Sequence, residues 1–307
     1  MIGAAALARR ATEFLKTSTR KLQAPPKEPL WSIGVYEGGT PLDWKPASGI
    51  VNPVLARESV TDVSAEFVAD PFAVCVGGVW HLFFEIMNRA YWRGEIGWAT
   101  SADFRRWSYQ QIVLREPFHV SYPYVFEWDG EFYMVPEAYR TNTIRLYKAD
   151  EFPTQWKLVE VLANGACFSD SSLFHHAGKW WLLTETNPDF RFDTLRLFWA
   201  ETLRGPWREH PCSPVVRRNP HIARPGGRVI SWDGRLVRFA QDCHPRYGLQ
   251  VLALEILELG PTSYRERPLG RRPILTGDGA GWNRYGMHHI DAHQLAEGQW
   301  MAVVDGW

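Results

Sequence analysis

Cysteine is scarce: four residues in 307, at Cys75, Cys167, Cys212 and Cys243, with no CxxC pair. Paired-thiolate zinc binding is thereby excluded, and a chain of this size does not need a disulfide framework. Net charge is missing as well. Thirty-four Lys and Arg balance 34 Asp and Glu, so no overall field holds a polyanion, and nucleic acid is not an expected partner. No apolar run reaches the ~18 residues that span a bilayer, so no integral membrane segment is expected. GxGxxG, GxxxxGK[ST], GxSxG and HExxH are all absent, which removes the common nucleotide-binding and hydrolase signatures.

Aromatic residues are plentiful: 16 Trp, 16 Phe and 11 Tyr, within a 45% hydrophobic chain. They favour strands, and their flat faces suit sugar rings. The first residues, MIGAAALARRATEFLKTSTRKLQ, hold only a short apolar stretch before Arg9 and Arg10. They predict a basic tail or loose amphipathic helix rather than a secretion signal, and with it a cytoplasmic location. A Pro-rich linker follows. Residues 1–30 are thus set apart from a folded unit over 31–307.

Four segments align: Asp70–Glu85, Tyr122–Glu137, Asp170–Glu185 and Arg224–Asp242, with a looser fifth, Asp291–Asp305. Each reads as a hairpin of an apolar strand, a Gly-containing turn and an aromatic-rich strand. A third strand follows in four copies, and a fourth with Trp107, Trp156 or Trp207 in three. Four strands per ~50 residues is a propeller blade. The fifth copy stops at Trp307 after two strands, so Ser32–Gly38 and Leu42–Val51 should complete it and close the ring. The predicted fold is an all-β, five-bladed β-propeller; a two-sheet sandwich is the alternative.

The first residue of each inner strand and the last of its partner share one end of a blade. Asp70 and Glu85, Tyr122 and Glu137, Asp170 and Glu185, Arg224 and Asp242, and Asp291 and Asp305 therefore converge on one mouth. Clustered carboxylates raise one another's pKa and mark candidate sites, although a repeated acid also serves to hold a neighbouring loop. In Met287–His293, alternation places His289, Asp291 and His293 on one side and His288 on the other. They line the channel or, through His289, hold a metal.

Asp-Pro opening blade one and a second Asp opening blade three resemble the propeller glycoside hydrolases of families 43, 62, 32 and 68. That resemblance implies Asp70 as base or nucleophile and Asp170 as the orienting carboxylate. The family acid, a Glu on blade four, falls here at Arg224, which does not donate a proton at neutral pH; the acid would then be Glu137 or Glu185. His288-His289 resembles a channel histidine found near bound calcium in family 43, so calcium is the one cofactor implied. Longer motifs, FVADPF, GEIGWATS, SYPYVFEWDGEFYMVPE, NPHIARPGGR and GMHHIDAHQ, are similar to the N-terminal propeller domain of plant glucosamine inositolphosphorylceramide transferases. The similarity covers Trp31 to Trp307 and implies work on, or binding of, a glycan or glycolipid. The expected function is glycoside hydrolysis or transglycosylation by Asp70, Asp170 and Glu137 or Glu185. Tyr122, Arg224, His288, His289, Asp291 and Glu85 would bind substrate, with Arg224 taking an anionic group. The alternative is a non-catalytic glycan-binding module beside a glycan-synthesis enzyme.

Overall fold

Two-residue turns with left-handed backbone join the inner hairpins: Gly77-Gly78, Asp129-Gly130, Ala177-Gly178 and Asp233-Gly234. Positive φ at both turn positions matches the twist of antiparallel strands, and the hairpin repeat follows from it. The computed structural model describes residues 30–307; the tail and linker expected over residues 1–30 lie outside them except for Leu30. Blade one comprises Ala65–Val76, Val79–Asn88, Arg93–Ser101 and Ser108–Leu114. Blade two comprises Ser121–Trp128, Glu131–Glu137, Thr143–Glu151 and Gln155–Asn164, and blade three Ser169–His176, Lys179–Glu185, Leu195–Ala200 and Arg208–Glu209. In blade four the inner strand is broken into Arg224–Pro225 and Ile230–Trp232, followed by Arg235–Asp242, Gln250–Gly260 and Ser263–Pro268. Among the described residues helix is confined to two 3₁₀ turns, and none is long and apolar enough to cross a membrane.

The ring closes as the repeat predicted. Ile290–Ala296 and Gln299–Gly306 form the inner hairpin of blade five, and Ser32–Gly38 pairs antiparallel with the latter, from Ser32 opposite Gly306 to Gly38 opposite Trp300. The fourth strand is shorter than Leu42–Val51, reduced to Lys45–Pro46. The recurrent tryptophans share one task. The indole N–H of Trp44, Trp107, Trp156 and Trp207 donates to the carbonyl of Pro41, Phe104, Pro153 and Leu203 respectively, at 2.9–3.2 Å. Each closes its blade's outer turn, and Trp156 also packs edge-on against Phe83 of the preceding blade, 5.5 Å away.

The channel between the inner strands is plugged. The Tyr122 ring packs edge-on between Phe72 and His289. Its hydroxyl accepts from the Gly227 N–H at 2.8 Å and lies 3.0 Å from the Ser172 hydroxyl. Arg228 reaches across from blade four to Asp291 at 2.9 Å and to the Val125 carbonyl at 3.0 Å. Gly227, at φ +146°, lies so close to blade five that a Cβ would sit 1.8 Å from the Ile290 carbonyl oxygen. Gly227→Ala is therefore expected to cost about 3 kcal/mol or more. Thermal denaturation checks this; an unchanged midpoint would contradict the close approach.

Candidate functional site

The inner strands do not simply start at the mouth residues. Asp70 lies in the middle of Ala65–Val76, and Tyr122 and Asp170 are the second residues of their strands. All three sit at register breaks between the inner strands, with left-handed φ of +54°, +45° and +45°. Such backbone is strained for a non-glycine residue, and the break turns the N–H out of the ladder. A carboxylate of the preceding blade accepts it. Asp305 Oδ2 takes the Asp70 N–H at 3.0 Å, Asp70 Oδ2 the Tyr122 N–H at 3.3 Å, and Glu137 Oε2 the Asp170 N–H at 3.0 Å. Between blades three and four, Arg224 Nε donates to Asp170 Oδ2 at 2.6 Å. The repeated acids thus staple blade to blade.

Asp70 and Asp170 each staple through one oxygen and leave the other without a hydrogen bond. Asp70 Oδ1, Asp170 Oδ1, Glu85 Oε1 and Glu185 Oε2 are buried with no hydrogen-bond partner, as is Gln241 Oε1. The second oxygens of Asp70, Asp170 and Glu185 are occupied. Asp170 Oδ2 holds Arg224 and Gln241, while Glu185 Oε1 accepts the N–H groups of Asn187 and Thr194. Glu137 also receives the Ser121 hydroxyl at 3.2 Å. A buried acceptor without a donor is costly, and a ring of them is an arrangement that hydroxyl donors would satisfy.

Burial pushes the Asp70 carboxyl up to about 7; His288 opposes the rise, and Asp170 and Asp305 add to it. Burial likewise lifts Glu185 to about 7, against the N–H bonds it accepts from Asn187 and Thr194. Glu85 and Glu137 are held well above the ordinary carboxylate range, first by burial and then by neighbouring acids. Burial works against the charge on Asp305, but His288, 2.7 Å away, keeps its pKa below the ordinary value, and His288 is raised in turn by Asp305. Arg224 stays cationic despite burial, held by Asp170. The mouth therefore pairs Arg224 with Asp170 and His288 with Asp305, while burial raises Asp70 and Glu185 to about 7 and holds Glu85 and Glu137 well above the ordinary carboxylate range.

Aromatic rings cover this cluster. Trp31 stacks on His288 at 4.0 Å, and Tyr247 packs against His288 at 5.1 Å. Phe192 and Tyr247 lie over the Arg224 guanidinium at 4.5 and 5.1 Å. Glu85 lies 3.5 Å from His119, and Gly94 leaves room for it, since a Cβ there would come within 2.8 Å of the Glu85 oxygen. Exposure is small: 5% for Asp70 and Glu85, 6% for Glu137, 8% for Arg224, and 1% for Asp170 and Glu185. Two open surface grooves, one beside Asp43 and Trp300 and one beside Ile50 and Trp107, include none of these residues.

The expected acids Asp70, Glu85, Glu137, Asp170 and Glu185 do assemble, with Arg224 and His288 among them. Three expectations need correction. Tyr122 does not present its hydroxyl at the mouth, because Gly227 and Ser172 hold it in the channel. Asp291 lies deeper, bonded to Arg228 and His293, because blade five lacks the left-handed residue that turns the strand in blades one to three. His289 is sandwiched with Nε2 on the Pro71 carbonyl at 2.9 Å. Arg224 is the counter-ion of Asp170. Among the described residues, Asp70, His288 and Asp305 bring ligand atoms within 4.8 Å of one another. Two carboxylates and an imidazole fall short of the six to eight oxygens calcium takes. Sequence reasoning did not single out Trp31, His119, Phe192 or Tyr247. They stand in loops without periodicity, though Trp31 and Tyr247 belong to the aromatic excess.

Comparison with known proteins adds an independent line. Residues 24–307 match the family model described as Glucosamine inositolphosphorylceramide transferase 1, N-terminal. Glucosamine inositolphosphorylceramide transferase 1 of Oryza sativa subsp. japonica is 37% identical over 303 residues, covering 92% of this chain and 40% of the rice protein. The Arabidopsis thaliana protein of the same name is 34% identical over 300 residues, covering 91% and 39%. The chain thus spans about two fifths of the length of these relatives. Among solved structures, the exo-β-1,3-galactanase 1,3Gal43A from Clostridium thermocellum superposes with a TM-score of 0.59 at 14% identity, covering 73% of this chain and 52% of that one. An α-L-arabinanase from Cellvibrio cellulosa gives 0.53 at 14%, covering 77% and 90%. These likenesses show a shared propeller fold. By its match across nearly all of its length, the chain belongs to the glucosamine inositolphosphorylceramide transferase N-terminal domain family.

Proposed function

We propose that the mouth binds the sugar of a glycan or glycolipid. The observation that carries this is the pair of divided carboxylates, Asp70 and Asp170: one oxygen of each staples the next blade and the other is buried without a donor, beside the orphaned oxygens of Glu85 and Glu185. Sugar hydroxyls are donors of the right kind, and Tyr247, Phe192 and Trp31 supply ring faces for the apolar side of a pyranose. Entry requires Phe192 and Tyr247 to move off Arg224. Phe192 belongs to a loop strained by left-handed φ at both Phe190 and Phe192, so its displacement is the natural opening step. The relatives' names refer to glycosyl transfer to a lipid, and the fold neighbours are glycoside hydrolases. Both favour carbohydrate as the ligand class, with the chain acting beside a glycan-synthesis enzyme.

Binding is tested by ligand-detected NMR with neutral hexoses, inositol and hexuronic acids. Above pH 7, where the Asp70 carboxyl is ionised, Asp70→Asn preserves a carbonyl oxygen for the Tyr122 N–H but turns the free acceptor into a donor. It should weaken the bound sugar about tenfold or more; Asp170→Asn should do the same. Unchanged affinity in both would remove the mouth from consideration. Catalysis, with Asp70 as base or nucleophile and Glu137 or Glu185 as acid, is favoured by one further observation: Asp70 and Glu185 titrate near 7, where proton transfer is efficient. Turnover of aryl glycosides that Asp70→Asn and Glu185→Gln abolish would support it. Binding without turnover leaves the recognition module.

A further inference from the structure

The charge of this neutral chain is distributed along the propeller axis. The second strand of each blade ends at the mouth, and the loop after it stands on the mouth face. In blade one that loop presents Tyr91 and Trp92, 67% and 50% exposed, with Trp92 in left-handed backbone at φ +49°. In blade two it presents Arg140, exposed and bonded to the Tyr139 hydroxyl. In blade three it carries Asp189, exposed and 4.0 Å from Arg191. The chain then returns to the mouth ahead of blade four through Arg217 and Arg218, both exposed. None of Arg140, Arg217 and Arg218 has an acid within salt-bridge distance among the described residues. The opposite face differs. Its tight turns carry Asp43, Asp129, Asp233 and Glu297. Of the arginines there, Arg105 and Arg106 sit on Glu37 and Asp103, while Arg204 and Arg208 are exposed.

An exposed Tyr-Trp pair costs solvation unless something covers it, and unpaired arginines around it select an anionic cover. Tyr and Trp prefer the headgroup level of a lipid–water interface, and basic side chains near an anionic leaflet add attraction additively. We propose that the mouth face docks on an anionic lipid bilayer, with Tyr91 and Trp92 at headgroup depth and Arg140, Arg217 and Arg218 against the lipid phosphates. The acidic turns then point away from the surface, so the polarity of the disc also sets its orientation. Docking in this pose brings a membrane-borne sugar to the mouth. It stands on loops separate from the carboxylate cluster and does not depend on the sugar-binding proposal.

Flotation of the full 307-residue chain with phosphatidylcholine vesicles, with and without phosphatidylinositol, tests this. Binding is expected only with the anionic lipid and should fall as salt is raised. The combined variant Arg140→Gln, Arg217→Gln, Arg218→Gln should weaken it about a hundredfold, and Tyr91→Ser, Trp92→Ser should also release the protein. Asp129→Asn with Asp233→Asn, on the far face, should not weaken it. A parent chain that does not float, or mouth-face variants that float as well as the parent, overturns the proposal; the latter would assign binding to the basic residues ahead of Leu30 or to another surface. Soluble-sugar binding measured on the same variants separates the two proposals: it should persist when vesicle binding is lost.

Discussion

Arg224→Met is expected to destabilise the protein by about 3–5 kcal/mol, the usual cost of removing one partner from a buried ion pair. The guanidinium is 2.6 Å from Asp170 and 3.5 Å from Glu137, beneath Phe192 and Tyr247. Methionine keeps much of the apolar contact, so the loss reports charge more than packing. Asp170 would be left buried with only Gln241 and water to hold it. Adding Asp170→Asn removes the uncompensated charge and should recover roughly half of the loss, as expected for directly coupled residues. Urea denaturation of the parent, both single variants and the double variant measures this. A single variant within about 1 kcal/mol of the parent would show that Arg224 is not the counter-ion around which the mouth is built.

The second large effect is on the pH dependence of stability. Asp70 and Glu185 titrate near 7 in the folded chain and near 4 when unfolded. Between those values the folded state binds more protons than the unfolded one, so stability falls as pH rises. The contribution is complete below about pH 4 and gone above about pH 7. From pH 5.5 to pH 7 the loss is about 1.6 kcal/mol for each group. Glu85 and Glu137 add to it in the same direction. Asp305 and Asp291, whose pKa values are depressed, act oppositely, and their stabilisation is lost only in acid as pH falls through their folded values. His119 and His289, whose pKa values burial lowers to about 4, oppose this loss below about pH 6.5 and cease to do so above it, so the melting temperature should decline between pH 6.5 and pH 8. Asp70→Asn and Glu185→Gln should each flatten the decline and raise the melting temperature at pH 8. A melting temperature that climbs through this range, or variants with the parent's slope, would contradict the assignment of protons to these acids.

Much of the fold was legible because it is written in spacing. Three hairpins of one length, each ending in Glu, and a tryptophan in the outer turn fix the blade and its count. The truncated fifth copy makes closure by Ser32–Gly38 the economical solution. The same regularity gathered Asp70, Glu85, Glu137, Asp170 and Glu185 at one end. What spacing does not encode is backbone strain. The left-handed residues at Asp70, Tyr122 and Asp170 rotate the chain locally, and no pattern of apolar residues announces this. Because blade five lacks that rotation, Asp291 falls one step deeper than its aligned counterparts. The Tyr122 hydroxyl points to Gly227 for a related reason: a glycine in blade four lets the backbone come close enough to receive it. The aromatic cover belongs to loops, where neither the two-residue nor the 3.6-residue period applies. Arg224 was legible as a departure from the hydrolase pattern; its engagement with Asp170 required the distance.

The most direct test of the divided-carboxylate mouth is a crystal structure with the tightest-binding sugar of the NMR panel. Hydroxyls within about 3 Å of Asp70 Oδ1 and Asp170 Oδ1, with Phe192 and Tyr247 displaced from Arg224, are predicted. A sugar held on an outer groove, with the four free oxygens still without donors, would contradict it.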